Sequence, residues 1–185
     1  MRQILFTAVV TLLIGVLVVP LALHYLAGGK SETNQEAFVP LYAEMNAPAP
    51  SLKVAQWIKN GPVDVLEGRG KQVYVIEFWA TWCPPCRESI PHLTTIQQEY
   101  RDKGVVVVGI TDEPVAEVRT FVNSMGSRMG YAVGVDRNGE THRAYMGPFQ
   151  VNTIPHAFVI DRSGRVVWHG NPLRGLEVIL DRHVN

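Results

Sequence analysis

Cys83 and Cys86 are the only cysteines in a chain of 185 residues, and two prolines separate them in the order Cys83-Pro84-Pro85-Cys86. Thiols at this spacing close a disulfide when oxidised and open to a dithiol when reduced, which makes them a two-electron switch. Position decides which thiol attacks. Pro84 and Pro85 cannot extend a strand, because they lack the ladder N–H, but they suit the first turn of a helix, where that N–H would have no partner. Cys83 is therefore expected at or next to a helix N-cap, where unpaired amides and the positive end of the helix dipole stabilise a thiolate, and it is the expected nucleophile. Cys86, one turn further in, is the expected buried resolving thiol. The two prolines leave fewer donors than usual around the Cys83 sulfur, and no histidine between the cysteines adds a cation. The thiolate is thus expected to be only moderately stabilised and the pair to lie near the reducing end of its class.

Glu77, six residues before Cys83, is the second chemical group. It is the one charge in the run Val73 to Ala80, whose β-branched and aromatic residues show no polar alternation and so read as a central strand covered on both faces. A carboxylate there is costly to bury ionised, so its pKa should rise. Beneath the dithiol it can accept the proton of Cys86 when that thiol attacks a mixed disulfide. The opposing expectation is a glutamate facing water, the usual place for one.

The elements that must position these groups alternate along the chain. Ser51 to Trp57 reads as a first strand, with Asn60-Gly61 a turn and Val63 to Leu66 a short return. The helix opened by Pro84 runs to about Tyr100 with Ile90, Leu93 and Ile96 on one face, and Pro91 inside it is expected to kink it. Lys103-Gly104 ends that helix, and Val105 to Ile110 is another buried strand. Thr111-Asp112 is expected to cap a helix with Pro114 in its first turn and Val115, Val118, Val122 and Met125 along one face. This alternation means right-handed crossovers and a parallel core. Tyr131 to Val135 reads as a short strand, Asp136 to Glu140 as a turn, Thr141 to Tyr145 as one or two helical turns and Met146 to Asn152 as a loop. Ala157 to Ile160 and Val166 to Trp168 flank Asp161-Arg162-Ser163-Gly164 as an antiparallel hairpin. Asn171-Pro172 is expected to open a final helix with Leu173, Leu176, Ile179 and Leu180 on one face.

The string Glu77-Phe78-Trp79-Ala80-Thr81-Trp82-Cys83-Pro84-Pro85-Cys86-Arg87, followed by Pro91 and then by Thr153-Ile154-Pro155, resembles the thioredoxin fold. It is most similar to the membrane-anchored thiol-disulfide oxidoreductases of the TlpA and ResA kind, over about residues 50 to 172. The resemblance implies an α/β thioredoxin fold, a central mixed sheet flanked by helices on both faces. It implies a cis Pro155 packed against the dithiol and a client backbone held at Ile154 and Pro155, with Trp82 and Pro84 completing the client-binding surface. It implies a protein-disulfide reductase without cofactor or metal, whose partners are disulfide-bearing client proteins and a membrane thiol-electron donor. Reducing apocytochrome c before haem attachment is one role in that family. Two departures stand out: Glu77 replaces the shorter aspartate of thioredoxins, and Pro-Pro replaces the commoner Gly-Pro.

Other chemistries fit less well. A structural zinc site needs four ligands, and His92 lies well round the helix from Cys86. A purely structural disulfide across so short a loop removes little unfolded-chain entropy. An oxidant that installs disulfides is the rival within redox chemistry. A copper(I) carrier is the rival outside it: the fold implied by the resemblance brings His156, following Pro155, near the dithiol, and two thiolates with an imidazole suit that ion, against the opposing expectation of an exposed loop histidine. A peroxidase would carry a threonine three residues before its reactive cysteine, where this chain has Ala80.

The remainder of the chain reads as an address. From Ile4 to Leu26 no residue is charged, long enough to cross a bilayer, since about 20 residues suffice. Arg2 precedes this run, so the N-terminus is expected in the cytoplasm and the body outside it, in the periplasm or its equivalent. A cleaved signal peptide is the competing reading, with Ala27-Gly28-Gly29 as small residues at its end. The expected organisation is a transmembrane anchor over 1–27, a polar, proline-bearing linker over 28–50 and one domain over 51–185. Seventeen basic residues balance seventeen acidic ones, which excludes nucleic acid as a partner.

Overall fold

A computed structural model describes residues 46–184. The expected anchor at 1–27, and the linker up to residue 45, lie outside the described residues. Among the described residues no helix is long and apolar enough to cross a membrane.

Val73–Phe78 forms strand β3, buried at every position because both faces of the sheet are covered there. Around it stand β1 (Ala47–Pro48), β2 (Val54–Lys59), β4 (Val105–Thr111), β5 (Ala132–Asp136), β6 (His156–Ile160) and β7 (Arg165–Gly170), in the order β1-β7-β6-β3-β4-β5-β2. β3, β4 and β5 are mutually parallel, as the crossovers require, while β6 runs antiparallel to β3 and pairs with β7 as the expected hairpin. The sheet is thus mixed.

Successive side chains of β3 point to opposite layers. Val73, Val75 and Trp79 face the layer built by α1 (Pro84–Tyr100), α2 (Val115–Met125) and α4 (Leu176–His183), and both cysteines lie in it. Tyr74, Ile76 and Phe78 face the other layer with Tyr145 and Met146 of α3 (Glu140–Met146). Glu77 shares the parity of Val75 and Trp79, so its carboxylate points into the layer that also holds the cysteines. Gly104, with φ +84°, supplies the left-handed residue that closes the short 3-10 turn after α1 and admits β4.

Several expectations shift. Val63–Leu66 makes no return strand; Asp64 instead accepts from the amides of Leu66 and Glu67 in a turn, and β2 pairs with β5 from the far edge of the sheet. The sheet also begins before Ser51, since Ala47–Pro48 pairs with β7 and the Ala49 amide bonds the Gly164 carbonyl. Two residues of strand leave no periodic signal. Thr111 and Asp112 do not cap α2: Thr111 ends β4, and Pro114 is the N-cap residue, without a side-chain cap. The final helix starts at Leu176, leaving Leu173 outside it and 39% exposed; Gly175, at φ +74°, interrupts the run from Pro172.

Candidate functional site

The N-terminus of α1 meets the carboxyl end of β3 and the loop entering β6, and the reactive groups gather there. Cys83 is the N-cap residue of α1 and Pro84 its first residue. The two cysteines are joined as a disulfide, with Cα atoms 5.2 Å apart. The Cys86 amide donates to the Cys83 sulfur at 3.2 Å, and Pro84 and Pro85 contribute no donor. Cys83 retains 3% exposure and Cys86 none, so Cys83 is the sulfur nearer solvent. Trp82 stands beside them 68% exposed, and Pro84 is also exposed. From 71 residues away in sequence, Ile154 brings its carbonyl oxygen to 3.9 Å from the Cys83 sulfur, and the Ile154-Pro155 peptide is cis.

Glu77 is wholly buried, which excludes the solvent-facing alternative. Ser89 Oγ lies 2.5 Å from Glu77 Oε1, and the Tyr131 hydroxyl donates to Oε2 at 3.2 Å. Burial raises the carboxyl pKa to about 8, against the opposing pull of the two hydroxyl donors. Tyr131, buried beside it, is pushed well above the ordinary phenol value. Ser89 Oγ also lies 2.9 Å from the Cys86 carbonyl oxygen. A serine hydroxyl has one proton, so it cannot donate to both oxygens at once. With Glu77 protonated, every group is satisfied in one direction: Tyr131 donates to Glu77, Glu77 to Ser89, and Ser89 to the Cys86 carbonyl. With Glu77 ionised, Ser89 turns to the carboxylate.

Ser89→Ala removes the stronger of the two bonds that favour the ionised carboxyl. The Glu77 titration is expected to move above about 8, read from the carbon-13 shift of its carboxyl against pH.

Neither Ser89 nor Tyr131 was legible as a partner of Glu77 in the sequence. Ser89 carried a weak signal, since it follows Cys86 by three residues and so shares its face of the helix. Glu113 carried none. Its carboxylate, 9% exposed, accepts from the Thr81 amide at 2.7 Å, from Thr81 Oγ1 at 2.6 Å and from Thr111 Oγ1 at 3.0 Å. The Thr81 carbonyl in turn accepts Nε and Nη2 of Arg87, at 2.9 and 2.7 Å.

His156 does not lie with the cysteines. It pairs in register with Phe78 and packs on Phe158, both of the opposite layer, and its Nε2 is 2.9 Å from Nδ1 of His169. Strand alternation turns it away from the dithiol, so it supplies no third soft-metal ligand. Burial, with His169 beside it, lowers its pKa to about 4. Among the described residues, no group of three or more His, Cys, Asp or Glu is placed to hold a metal ion.

Comparison with known proteins finds the model of the AhpC/TSA family matching residues 45–169. The thiol-disulfide oxidoreductase ResA of Bacillus thuringiensis (strain Al Hakam) is 30% identical over 136 residues, covering 69% of this chain and 75% of that protein. A thiol:disulfide interchange protein of the thioredoxin family from Chlorobium tepidum TLS superposes with a TM-score of 0.63 at 28% identity, over 76% of this chain and 97% of that one. A thiol-disulfide isomerase from Corynebacterium glutamicum, at 24% identity and a TM-score of 0.63 over 76% of this chain and 97% of that one, shares the fold.

Proposed function

Because the chain belongs to the AhpC/TSA family and is a thiol-disulfide oxidoreductase of thioredoxin-like fold, we propose that it reduces disulfides in extracytoplasmic client proteins through Cys83 and Cys86. Cys83 as thiolate attacks one sulfur of a client disulfide; the other client sulfur leaves as a thiolate, and a mixed disulfide remains. Cys86 gives its proton to Glu77, directly or through water, and attacks the Cys83 sulfur. The second client thiolate departs, and the two electrons of the dithiol now reside in the client. The observation that carries this reading is Glu77 itself, a dry acid in the layer of the dithiol, one hydroxyl removed from the backbone of Cys86.

Trp82 and Pro84, exposed around Cys83, and the Ile154-Pro155 edge, whose carbonyl approaches its sulfur, are the surface on which a client segment lies. An extended client chain meeting that edge offers its own amides to the Ile154 carbonyl. The uncharged run Ile4 to Leu26 supports an anchor at 1–27 and a tether at 28–50, with the catalytic domain outside the cytoplasm. In such an oxidising setting a reductant needs a supply of electrons, and a membrane thiol-electron donor is the partner of that chemistry. Peroxidase chemistry is disfavoured by Ala80, which stands three residues before Cys83 where a threonine would be required.

Equilibrating the full chain against a glutathione redox buffer tests the direction. A potential below about −200 mV, toward the thioredoxin value of about −270 mV, is expected; one near −120 mV, roughly that of the strong periplasmic oxidants, would make the protein an oxidant instead.

A further inference from the structure

The loop from Ala80 to Cys83 belongs to neither β3 nor α1, yet it must present Trp82 to solvent and Cys83 to the helix N-terminus. Thr81, at its centre, is gripped from both sides. Its amide and hydroxyl donate to the buried Glu113 carboxylate at 2.7 and 2.6 Å, and its carbonyl receives the two-pronged guanidinium of Arg87 at 2.9 and 2.7 Å. Glu113 is itself fixed by Thr111 at the end of β4, with its oxygen 3.0 Å from the Thr111 hydroxyl. Among the described residues Glu113 makes no ion pair. A carboxylate so buried, held by neutral donors alone, is retained at a cost in desolvation, and what it holds is the loop before the nucleophile.

We infer that Glu113 is a positioning residue for the dithiol: by clamping Thr81 it keeps the Cys83 sulfur over the N-terminus of α1 once the disulfide is opened. The inference rests on the reading of Cys83 as the nucleophile. In the reduced protein the Cys83 thiolate depends on the Cys86 amide, because Pro84 and Pro85 offer no donor. Releasing the amide and hydroxyl of Thr81 leaves it held by Arg87 from one side only, and loosens the loop that keeps the sulfur within reach of the Cys86 amide.

The sign of the effect separates three roles. A negative charge that merely sits near the sulfur raises the thiolate pKa, so removing it would lower that pKa. A clamp acts in the opposite sense, since losing it withdraws the donor from the thiolate. A staple important for folding alone changes stability and leaves the thiol untouched.

The test is the pH dependence of iodoacetamide alkylation of Cys83 in the full chain carrying Cys86→Ser, so that one thiol reports, with thermal melting alongside. Glu113→Ala is expected to displace the profile upward by about one pK unit, which is tenfold slower reaction at neutral pH. Glu113→Gln, uncharged but still offering an oxygen to the Thr81 amide, should stay within about twofold of the parent, because one acceptor survives. A downward displacement in both variants, or an unchanged profile with lowered melting in Glu113→Ala, would overturn the inference. Failure of the underlying reading would show separately, as a Cys83 that is not alkylated in the parent.

Discussion

Glu77→Gln is expected to slow resolution of the mixed disulfide by about 10²- to 10⁴-fold, the range that a positioned general base supplies. Glutamine keeps the volume and one acceptor for Tyr131 or Ser89, so the fold should survive while proton acceptance is lost. Stopped-flow mixing of the reduced protein with a disulfide peptide separates the two steps. Attack by Cys83 should be little affected, and release of the second client thiol should be slow. In the parent, release should accelerate as pH rises through about 8, where the Glu77 carboxyl gives up its proton and becomes able to take another. That inflection should vanish in the variant.

The same group leaves a mark on stability, with a sign that can be worked out. The carboxyl titrates at about 8 in the folded protein against an ordinary value of 4.5. Between those values the folded protein holds a proton that the unfolded chain has released. Its contribution is therefore fully present below about pH 4.5, declines as pH rises, and is gone above about 8. Denaturant melts of the disulfide form, whose cysteines do not titrate, should show this decline in the parent and a flatter curve in Glu77→Gln.

Cys86→Ser is expected to abolish turnover and to leave Cys83 joined to its clients. Serine at 86 cannot attack the Cys83 sulfur, so the mixed disulfide has no internal exit. Expressed as the full chain in cells, the variant should accumulate adducts that reducing agent releases on a gel, and mass spectrometry of those adducts names the clients. Cys83→Ser should form none, because the thiolate that starts the exchange is missing. Adduct levels equal to those of Cys83→Ser would count against reduction of protein clients.

The dithiol, its place at the head of a helix and the burial of Glu77 were legible because each rests on a local rule, whereas the mixed sheet, made by β6 pairing antiparallel with β3, followed only from the family resemblance. Proline at the first turn, an unbroken apolar run and glycine after the last turn act within a few residues of chain. What was not legible depends on pairings across long separations. Ser89 and Tyr131 close on Glu77 from 12 and 54 residues away, and Glu113 closes on Thr81 from 32; no periodicity announces Tyr131 or Glu113, and that of Ser89 shows only the helix face it shares with Cys86. His156 shows the opposite failure. Adjacency to Pro155 suggested adjacency to the sulfurs, but one step along a strand reverses the face. The start of the last helix was misplaced because Asn171-Pro172 carries opening signals that Gly175 overrides.

The most direct measurement is the titration of the Glu77 carboxyl itself, followed by carbon-13 resonance in protein labelled at glutamate and assigned by its loss in Glu77→Gln. A midpoint near 8 is expected, moving when Cys86 is reduced and able to share its proton. A midpoint at the ordinary carboxylate value, indifferent to the state of the dithiol, would contradict it.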